Sequence, residues 1–398
     1  MQKIENIGQV VIKHLLRIYL GENKMMKITL ILLMLSVTLV YSAEFPKDKL
    51  PAHIILEQET GERPDWHPTS SDRYIFLDKA GGKPFEKTIS TGEVRSILPP
   101  DCNNCRMWRI YYLKNGDYLM TIGPSRDSAT IHFVDKDLDK PAWNTGVIAH
   151  EGVAVSRHTW QLAWTNGPDI HYGEIVYGND GLPALENIRV ILNVDELKVR
   201  DQNIPGEGAG ATQYLNYHEP QNWRPPHDRE LIFSRYGTST TGKYSSEVWI
   251  WNMDTDEIKN ISNRHAYYDE PEGIFTDGQY TLVECDMYLP VSQHAQILDL
   301  YMMPLESAGN NMVRLTYFGD HKMPNSDVTY KANQGVISED GKYMLFGEGR
   351  SNTNDQPGTG FGIYLFDFDA AGIYVNPGVG ADTSKIAPVR SSSLPEGH

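Results

Sequence analysis

Short blocks of apolar residues alternate with polar turns along most of this chain, and the blocks recur in a fixed order. An inner apolar strand is followed by a turn bearing Asp or Gly, then by a second strand rich in Tyr, Ile, Leu and Phe. The pattern reads Pro64-Asp65-Trp66 with Asp72-Arg73-Tyr74-Ile75-Phe76, then Asn115-Gly116-Asp117-Tyr118-Leu119-Met120, Leu162-Ala163-Trp164 and Asp228-Arg229-Glu230-Leu231-Ile232-Phe233. The two clearest copies are Phe275-Thr276-Asp277-Gly278-Gln279-Tyr280-Thr281-Leu282-Val283 and Ile337-Ser338-Glu339-Asp340-Gly341-Lys342-Tyr343-Met344-Leu345-Phe346. Asp-Gly between two such runs is a strong hairpin signal. A third strand follows a polar loop in most copies, as in Thr130–Val134, Glu247–Trp251, Leu298–Met302 and Gly362–Phe366.

Three or four short antiparallel strands per copy, at about 40–50 residues per copy, describe a propeller blade. One copy cannot bury its own apolar faces, so the copies must stack. The expected fold is all-β, a single β-propeller over residues 47–369 with antiparallel sheets around a central channel. Six blades are expected, and a seventh with a degenerate repeat is the alternative. The second strands end at Phe76, Met120, Trp164, Phe233, Val283 and Phe346, and the two longest gaps contain the insertions Gly206–Gly210 and Gly319–Pro324. A strand at His53–Glu57 is expected to complete the last blade, because an open ring would leave sheet edges exposed. Residues 370–398 are rich in Gly, Ser, Pro and Val and read as a poorly ordered tail.

The repeats quoted above resemble the TolB-like, WD40-like (PD40) propeller family over roughly residues 61–369. That resemblance implies a rigid disc whose channel mouth and loops bind proteins or other ligands. It implies little about activity, because propellers host unrelated functions.

Lys27, the apolar run 28–40 and the small residues Ser42 and Ala43 make a secretory signal peptide over 25–43. The run is shorter than a membrane span requires, so no span is expected after cleavage. Residues 1–24 read as a leader upstream of the true start at Met25 or Met26. The expected location is periplasmic or secreted. The whole chain carries a formal charge of −16. Removal of residues 1–42 leaves 31 basic against 50 acidic residues, a net of −19. A surface that acidic repels nucleic acid and anionic lipid. Of the three cysteines, Cys102 and Cys105 are spaced for a small disulfide or for half a metal site, and Cys285 sits in a strand as a buried thiol.

The candidate chemistry lies at the starts of the inner strands. There the chain places His150-Glu151, Tyr217-His218-Glu219-Pro220-Gln221, Asp269-Glu270-Pro271-Glu272 and Asn333-Gln334, with a shorter counterpart at Glu62–Asp65. Inner strands line the channel, so these residues are expected to form a ring at one mouth. Such a ring can hold a divalent metal, bind a hydroxyl-rich ligand between carboxylates, amides and Tyr rings, or perform acid–base chemistry. It can also simply bond neighbouring blades together. The favoured reading is a binding or scaffold module for a protein or glycan partner. The alternative is a polysaccharide lyase using His150, Tyr217, His218, Gln221 and Arg224, or a glycan hydrolase with a pair drawn from Glu151, Glu219 and Glu270. Against a lyase, only Arg63, Arg224 and Lys331 are expected near the ring, too few to attract a polyanion. No Gly-x-Ser-x-Gly elbow, phosphate-cradling loop or His-Glu-x-x-His motif occurs.

Overall fold

A computed structural model of the chain describes residues 50–195, 197, 213–238, 242, 244–287, 297–306, 311–324, 326–351 and 360–373, with 213–216 described by backbone alone. The proposed leader, signal peptide and most of the proposed tail lie outside these residues. After β1 (Ile54–Gln58), blade 1 comprises β2 (Glu62–His67), β3 (Ser70–Leu77), β4 (Pro84–Thr88) and β5 (Val94–Ser96). Blade 2 holds β6 (Met107–Tyr112), β7 (Tyr118–Ile122), β8 (Thr130–Val134) and β9 (Trp143–Ile148). Blade 3 holds β10 (Glu151–Val155), β11 (Gln161–Asn166), β12 (Asp169–Tyr177) and β13 (Pro183–Leu192). Blade 4 holds β14 (Gln213–Trp223), β15 (Glu230–Thr238), β16 (Tyr244–Asn252) and β17 (Ile258–Asn260). Blade 5 holds β18 (Asp269–Ile274), β19 (Tyr280–Cys285), β20 (Asp299–Pro304) and β21 (Val313–Arg314). Blade 6 holds β22 (Tyr330–Ile337), β23 (Tyr343–Arg350) and β24 (Ile363–Asp367), and its fourth strand is β1.

The result is the expected all-β, six-bladed propeller of antiparallel four-stranded sheets. The ring closes as the sequence predicts: β1 pairs with β24, placing Ile54 opposite Phe366 and Ile55 opposite Leu365. This joins the two ends of the propeller in one sheet and covers an edge that would otherwise be open.

The core is divided into wedges between blades. Ile75, Leu77 and Ile97 of blade 1 pack on Met107, Ile110 and Met120 of blade 2. Leu119 and Phe133 of blade 2 meet Leu162 and Trp164 of blade 3, and Ala163 and Tyr172 of blade 3 meet Trp223 and Phe233 of blade 4. Each buried Leu, Ile or Phe contributes about 1.5–3 kcal/mol. The alternation of apolar residues along every strand therefore serves two wedges at once, one on each face. Cys102 and Cys105, in the connection between blades 1 and 2, are joined as a disulfide, which removes the metal alternative for that pair. Cys285 is a buried free thiol, as the sequence suggested.

All six inner strands are bulged. The register against the second strand shifts between Glu62 and Asp65, Met107 and Arg109, Gly152 and Ala154, Pro220 and Asn222, Pro271 and Ile274, and Asn333 and Val336. A bulge leaves a residue unpaired and re-aims the side chains beside it. Pro64, Pro220 and Pro271 sit within these bulged stretches, where a proline is tolerated because the strand's other edge faces the channel. Gly152 has φ +82°, and a Cβ there would lie 3.0 Å from the Pro220 carbonyl oxygen of blade 4. Glycine thus permits both the backbone turn and the close approach of two inner strands.

Candidate functional site

The inner strands of all six blades contribute to one cavity of about 490 Å³ along the channel. Its two ends differ in chemistry. At the end where the inner strands begin, a chain of hydrogen bonds runs across blades 2 to 5. Arg126, in the loop before β8, donates to Glu151. Arg109 of β6 donates to Glu151 at 2.5 Å, to Glu219 at 2.8 Å and to the Gly152 carbonyl at 2.9 Å. The Tyr236 hydroxyl of β15 lies 2.9 Å from Glu219 Oε2 and also contacts Glu270 Oε1, while Tyr268 donates to Glu270 Oε2.

A phenol carries one proton, so Tyr236 cannot donate to both carboxyl groups. One of them must be protonated and donate to the Tyr236 oxygen. Glu219 also faces Arg109, which favours its anion, but burial and the charge of Glu151 outweigh this and raise its pKa. Glu270 is pushed well above the usual carboxylate range, by burial first and then by the charges of Glu284 and Glu219. Of the two carboxyl groups, Glu270 is therefore pushed harder toward the protonated form. Glu272 is likewise pushed far up, by burial and by Glu284 and Glu270, and it donates to Glu284. Glu284 in turn accepts the Gln334 backbone N–H at 2.7 Å. The buried Lys331 ammonium faces Glu284 and Glu270, and burial lowers its pKa. Carboxylate oxygens of Glu270, Glu272 and Glu284 lie within 4.8 Å of one another. With their protons removed, these three would suit a hard cation such as calcium, magnesium or manganese.

Tyrosines wall the same end. Tyr217 and Tyr236 rings lie 4.8 Å apart, Tyr236 stacks on Tyr244 at 5.8 Å and 10°, and Tyr244 meets Tyr268 at 5.9 Å. Tyr244 is 45% exposed and also lines the cavity. Tyr217 bonds to Glu151, tying the wall to the charged chain.

At the opposite end, the turn between β10 and β11 sends two cations across the channel. Arg157 donates to Asp65 and, at 3.1 Å, to the Trp66 carbonyl, both on blade 1. His158 Nδ1 lies 3.3 Å from Asp228 of blade 4, and its Nε2 lies 3.7 Å from Glu339 of blade 6. Hydrogen bonding to Asp228, then to Glu339, raises the His158 pKa to about 9, so the ring is charged at neutral pH.

Seven of the residues singled out in the sequence line the cavity: Tyr217, Glu219, Gln221, Glu270, Glu272, Asn333 and Gln334. Glu151 joins them through Arg109 and Arg126. Three do not converge there. His150 sits at the rim, 3.5 Å from the exposed Asp127. His218 is fully buried against Phe233, with Nδ1 3.3 Å from the Pro168 carbonyl of blade 3. Asp269 is buried and bonds Arg264 through both oxygens, at 2.9 and 3.0 Å. Strand alternation explains the last two, since neighbours of a channel-facing Glu turn away from the channel, His218 toward blade 3 and Asp269 toward the connection before β18. The ring of two histidines and carboxylates is therefore not assembled.

The expectation of few cations also fails. Arg63, Arg109, Arg126, Arg157 and Lys331 all line the cavity, whereas Arg224 bonds Glu230 and Glu306 outside it. Glu284, Tyr236 and Tyr244 were missed because they lie on second and third strands. Arg109 was open to detection: it follows the bulge of β6, at the level where β14 and β18 carry Glu.

No family model and no curated protein sequence matches this chain. Solved structures similar to it include the Dos1 propeller, 9% identical over 75% of this chain and 71% of its own, with a TM-score of 0.39. TolB from Acinetobacter baumannii is 9% identical over 83% of this chain and 67% of its own, with a TM-score of 0.41. A puromycin-hydrolysing peptidase from Mycobacterium tuberculosis is 11% identical over 70% of this chain, with a TM-score of 0.42, and the match spans only 39% of the peptidase. An oligogalacturonate lyase in complex with manganese is 11% identical over 74% of each chain, with a TM-score of 0.41.

Proposed function

We propose that this chain is a TolB-like propeller of the periplasm or cell exterior that binds a neutral, hydroxyl-rich ligand, a glycan segment, in its channel. The observation that carries this reading is the mixed lining of the cavity. Arg109 is paired with Glu151 and Glu219, Arg126 with Glu151, Arg157 with Asp65, and His158 with Asp228 and Glu339. Cations already engaged in this way leave little net attraction for a polyanion. Sugar hydroxyls both donate and accept, so they suit a wall where Arg, Asn and Gln donors alternate with carboxylate acceptors. The exposed face of Tyr244 supplies a platform for the apolar face of a sugar ring. A volume of about 490 Å³ lies in the range of small-ligand sites. The Cys102–Cys105 disulfide supports an oxidising compartment, in keeping with the signal-peptide reading of residues 25–43.

One observation favours a second reading, a glycan hydrolase. Glu270 is pushed well above the usual carboxylate range, while Glu219, less strongly raised, lies on the other side of the Tyr236 hydroxyl and faces Arg109. A carboxylic acid beside a carboxylate is the pair that acid–base cleavage of a glycosidic bond requires.

Both readings are tested together by incubating the protein with neutral and uronic-acid polysaccharides. Binding is followed by affinity electrophoresis and products by mass spectrometry. Retention by a neutral glycan, weakened on the order of tenfold in Tyr244→Ala, is expected. Oligosaccharide products that vanish in Glu270→Gln would shift the assignment to the hydrolase. Retention by no glycan, or retention unaffected by Tyr244→Ala and Glu219→Gln, would remove the channel as a glycan site.

A further inference from the structure

A second cavity, of about 260 Å³, opens between blades 1 and 2, away from the channel lining. The apolar wedge of Ile75, Leu77 and Met120 gives way there to charged groups. Glu86 of β4 is saturated. It accepts Arg95 Nε at 2.8 Å, the Tyr112 hydroxyl at 2.7 Å and the Tyr118 hydroxyl at 3.1 Å. Lys136, just after β8, is more than half exposed and reaches its neighbour Asp137 at 2.6 Å.

Arg73 of β3 is different. Its Nη2 donates at 2.8 Å to His67 Nε2, and among the described residues it has no carboxylate partner. For His67 Nε2 to accept, the ring must be neutral with its proton on Nδ1, so the 3.3 Å approach of the Thr69 backbone N–H to Nδ1 is then not a hydrogen bond and the Thr69 hydroxyl is the acceptor. The charges acting on His67 are those of Arg73, Glu86 and Arg157, and burial together with Arg73 lowers its pKa to about 4. A guanidinium resting on a neutral imidazole leaves its charge uncompensated. Arg73, Arg95 and Lys136 stand here against Glu86 and Asp137, and Asp135 and Asp117 also act on Lys136, so Arg73 is the lining cation with no carboxylate partner among the described residues.

We infer that the cleft between blades 1 and 2 is a binding site for a tetrahedral oxyanion, a phosphate or sulfate group, held by Arg73 with Arg95 and Lys136 at the entrance. Guanidinium groups present forked donors that match such an anion. The site is independent of the channel and of any glycan bound there.

The test uses the full chain and isothermal titration at neutral pH with three probes: inorganic phosphate, inorganic sulfate and a sugar phosphate ester, each against chloride at equal ionic strength. Saturable binding of at least one probe is expected, and a preference for the ester would mark the group as part of a larger ligand. Arg73→Gln should weaken binding on the order of tenfold or more. The exposed Lys136→Gln should weaken it about two- to threefold, and keeps the site testable if the first variant misfolds. Bound anion should also raise the titration midpoint of His67, read from its ring proton and assigned by its loss in His67→Gln. Heats and midpoints no different from chloride would overturn the proposal. So would binding that survives unchanged in both variants.

Discussion

The two ends of the channel are built from the same six inner strands, yet they handle charge in opposite ways. At the turn end each carboxylate meets a cation from across the channel: Asp65 meets Arg157, and Asp228 and Glu339 meet His158. At the strand-start end Glu219, Glu270, Glu272 and Glu284 crowd around Arg109 and Lys331, and burial and mutual charge push all four toward the protonated form, Glu270 and Glu272 furthest. Paired charges tie blades 1, 3, 4 and 6 together and cross the opening. Crowded carboxyl groups do the reverse. They leave hydrogen-bonding capacity and proton-binding capacity facing a cavity walled by tyrosine. One end serves as a strut and the other as a receiving surface, and the difference lies in charge pairing rather than in backbone geometry.

Removing the cation that the two carboxylates share should have the largest effect. Arg109→Met leaves Glu151 and Glu219 buried without it and is expected to cost about 3–5 kcal/mol in urea unfolding. Adding Glu219→Gln should recover part of that loss, because it removes one of the stranded charges. If the single variant is as stable as the parent, the strand-start end does not depend on this pairing and the contrast fails.

Cutting the strut comes next. Arg157→Ala should cost about 2 kcal/mol. The loss is smaller because Arg157 is 24% exposed and Asp65 keeps the Tyr112 N–H at 2.8 Å.

The carboxyl protons predict a pH dependence of a particular sign. Glu270 and Glu272 have folded pKa values above their unfolded ones, so the native state binds protons more tightly. Stability should therefore fall as pH rises from the unfolded value toward the folded one. Glu270→Gln keeps a neutral donor at the site and removes its share of that fall. The urea midpoint of the variant should vary less with pH above about 5 than that of the parent. An identical profile would mean that Glu270 is ionised throughout.

The smallest effect belongs to His158, and it has the same sign, although its cause is hydrogen bonding to carboxylates rather than burial. Its folded pKa is raised from 6.5 to about 9. Its stabilisation is fully present below the unfolded value and is lost as pH rises through the folded one. His158→Gln should cost at most about 1 kcal/mol at pH 6, and the difference from the parent should disappear in thermal melts above pH 9.5.

Much of this architecture is legible in the chain. The six second strands ending at Phe76, Met120, Trp164, Phe233, Val283 and Phe346, the turns between them and the closing strand from residue 54 follow from local pattern. They do so because alternation and turn chemistry act over a few residues. The site was legible in part. Glu219 and Glu270 stood out because each precedes a proline that breaks the strand pairing. His218 and Asp269 adjoin them, yet they turn away from the channel, since one step along a strand reverses the direction of a side chain. Arg126, Arg157, Tyr236 and Glu284 lie outside the inner strands, and their place at the channel follows only from how the blades sit side by side.

The repeat of apolar and turn residues thus determined a closed propeller from the sequence alone, with six blades favoured over seven, because each blade is specified within some fifty residues by forces that act locally. Which carboxyl groups keep their protons, which arginines answer them, and which end of the channel is crossed were decided only by the assembled ring. Those properties depend on burial and on charges from blades far apart in sequence, and distance in space, not spacing in sequence, sets an electrostatic interaction.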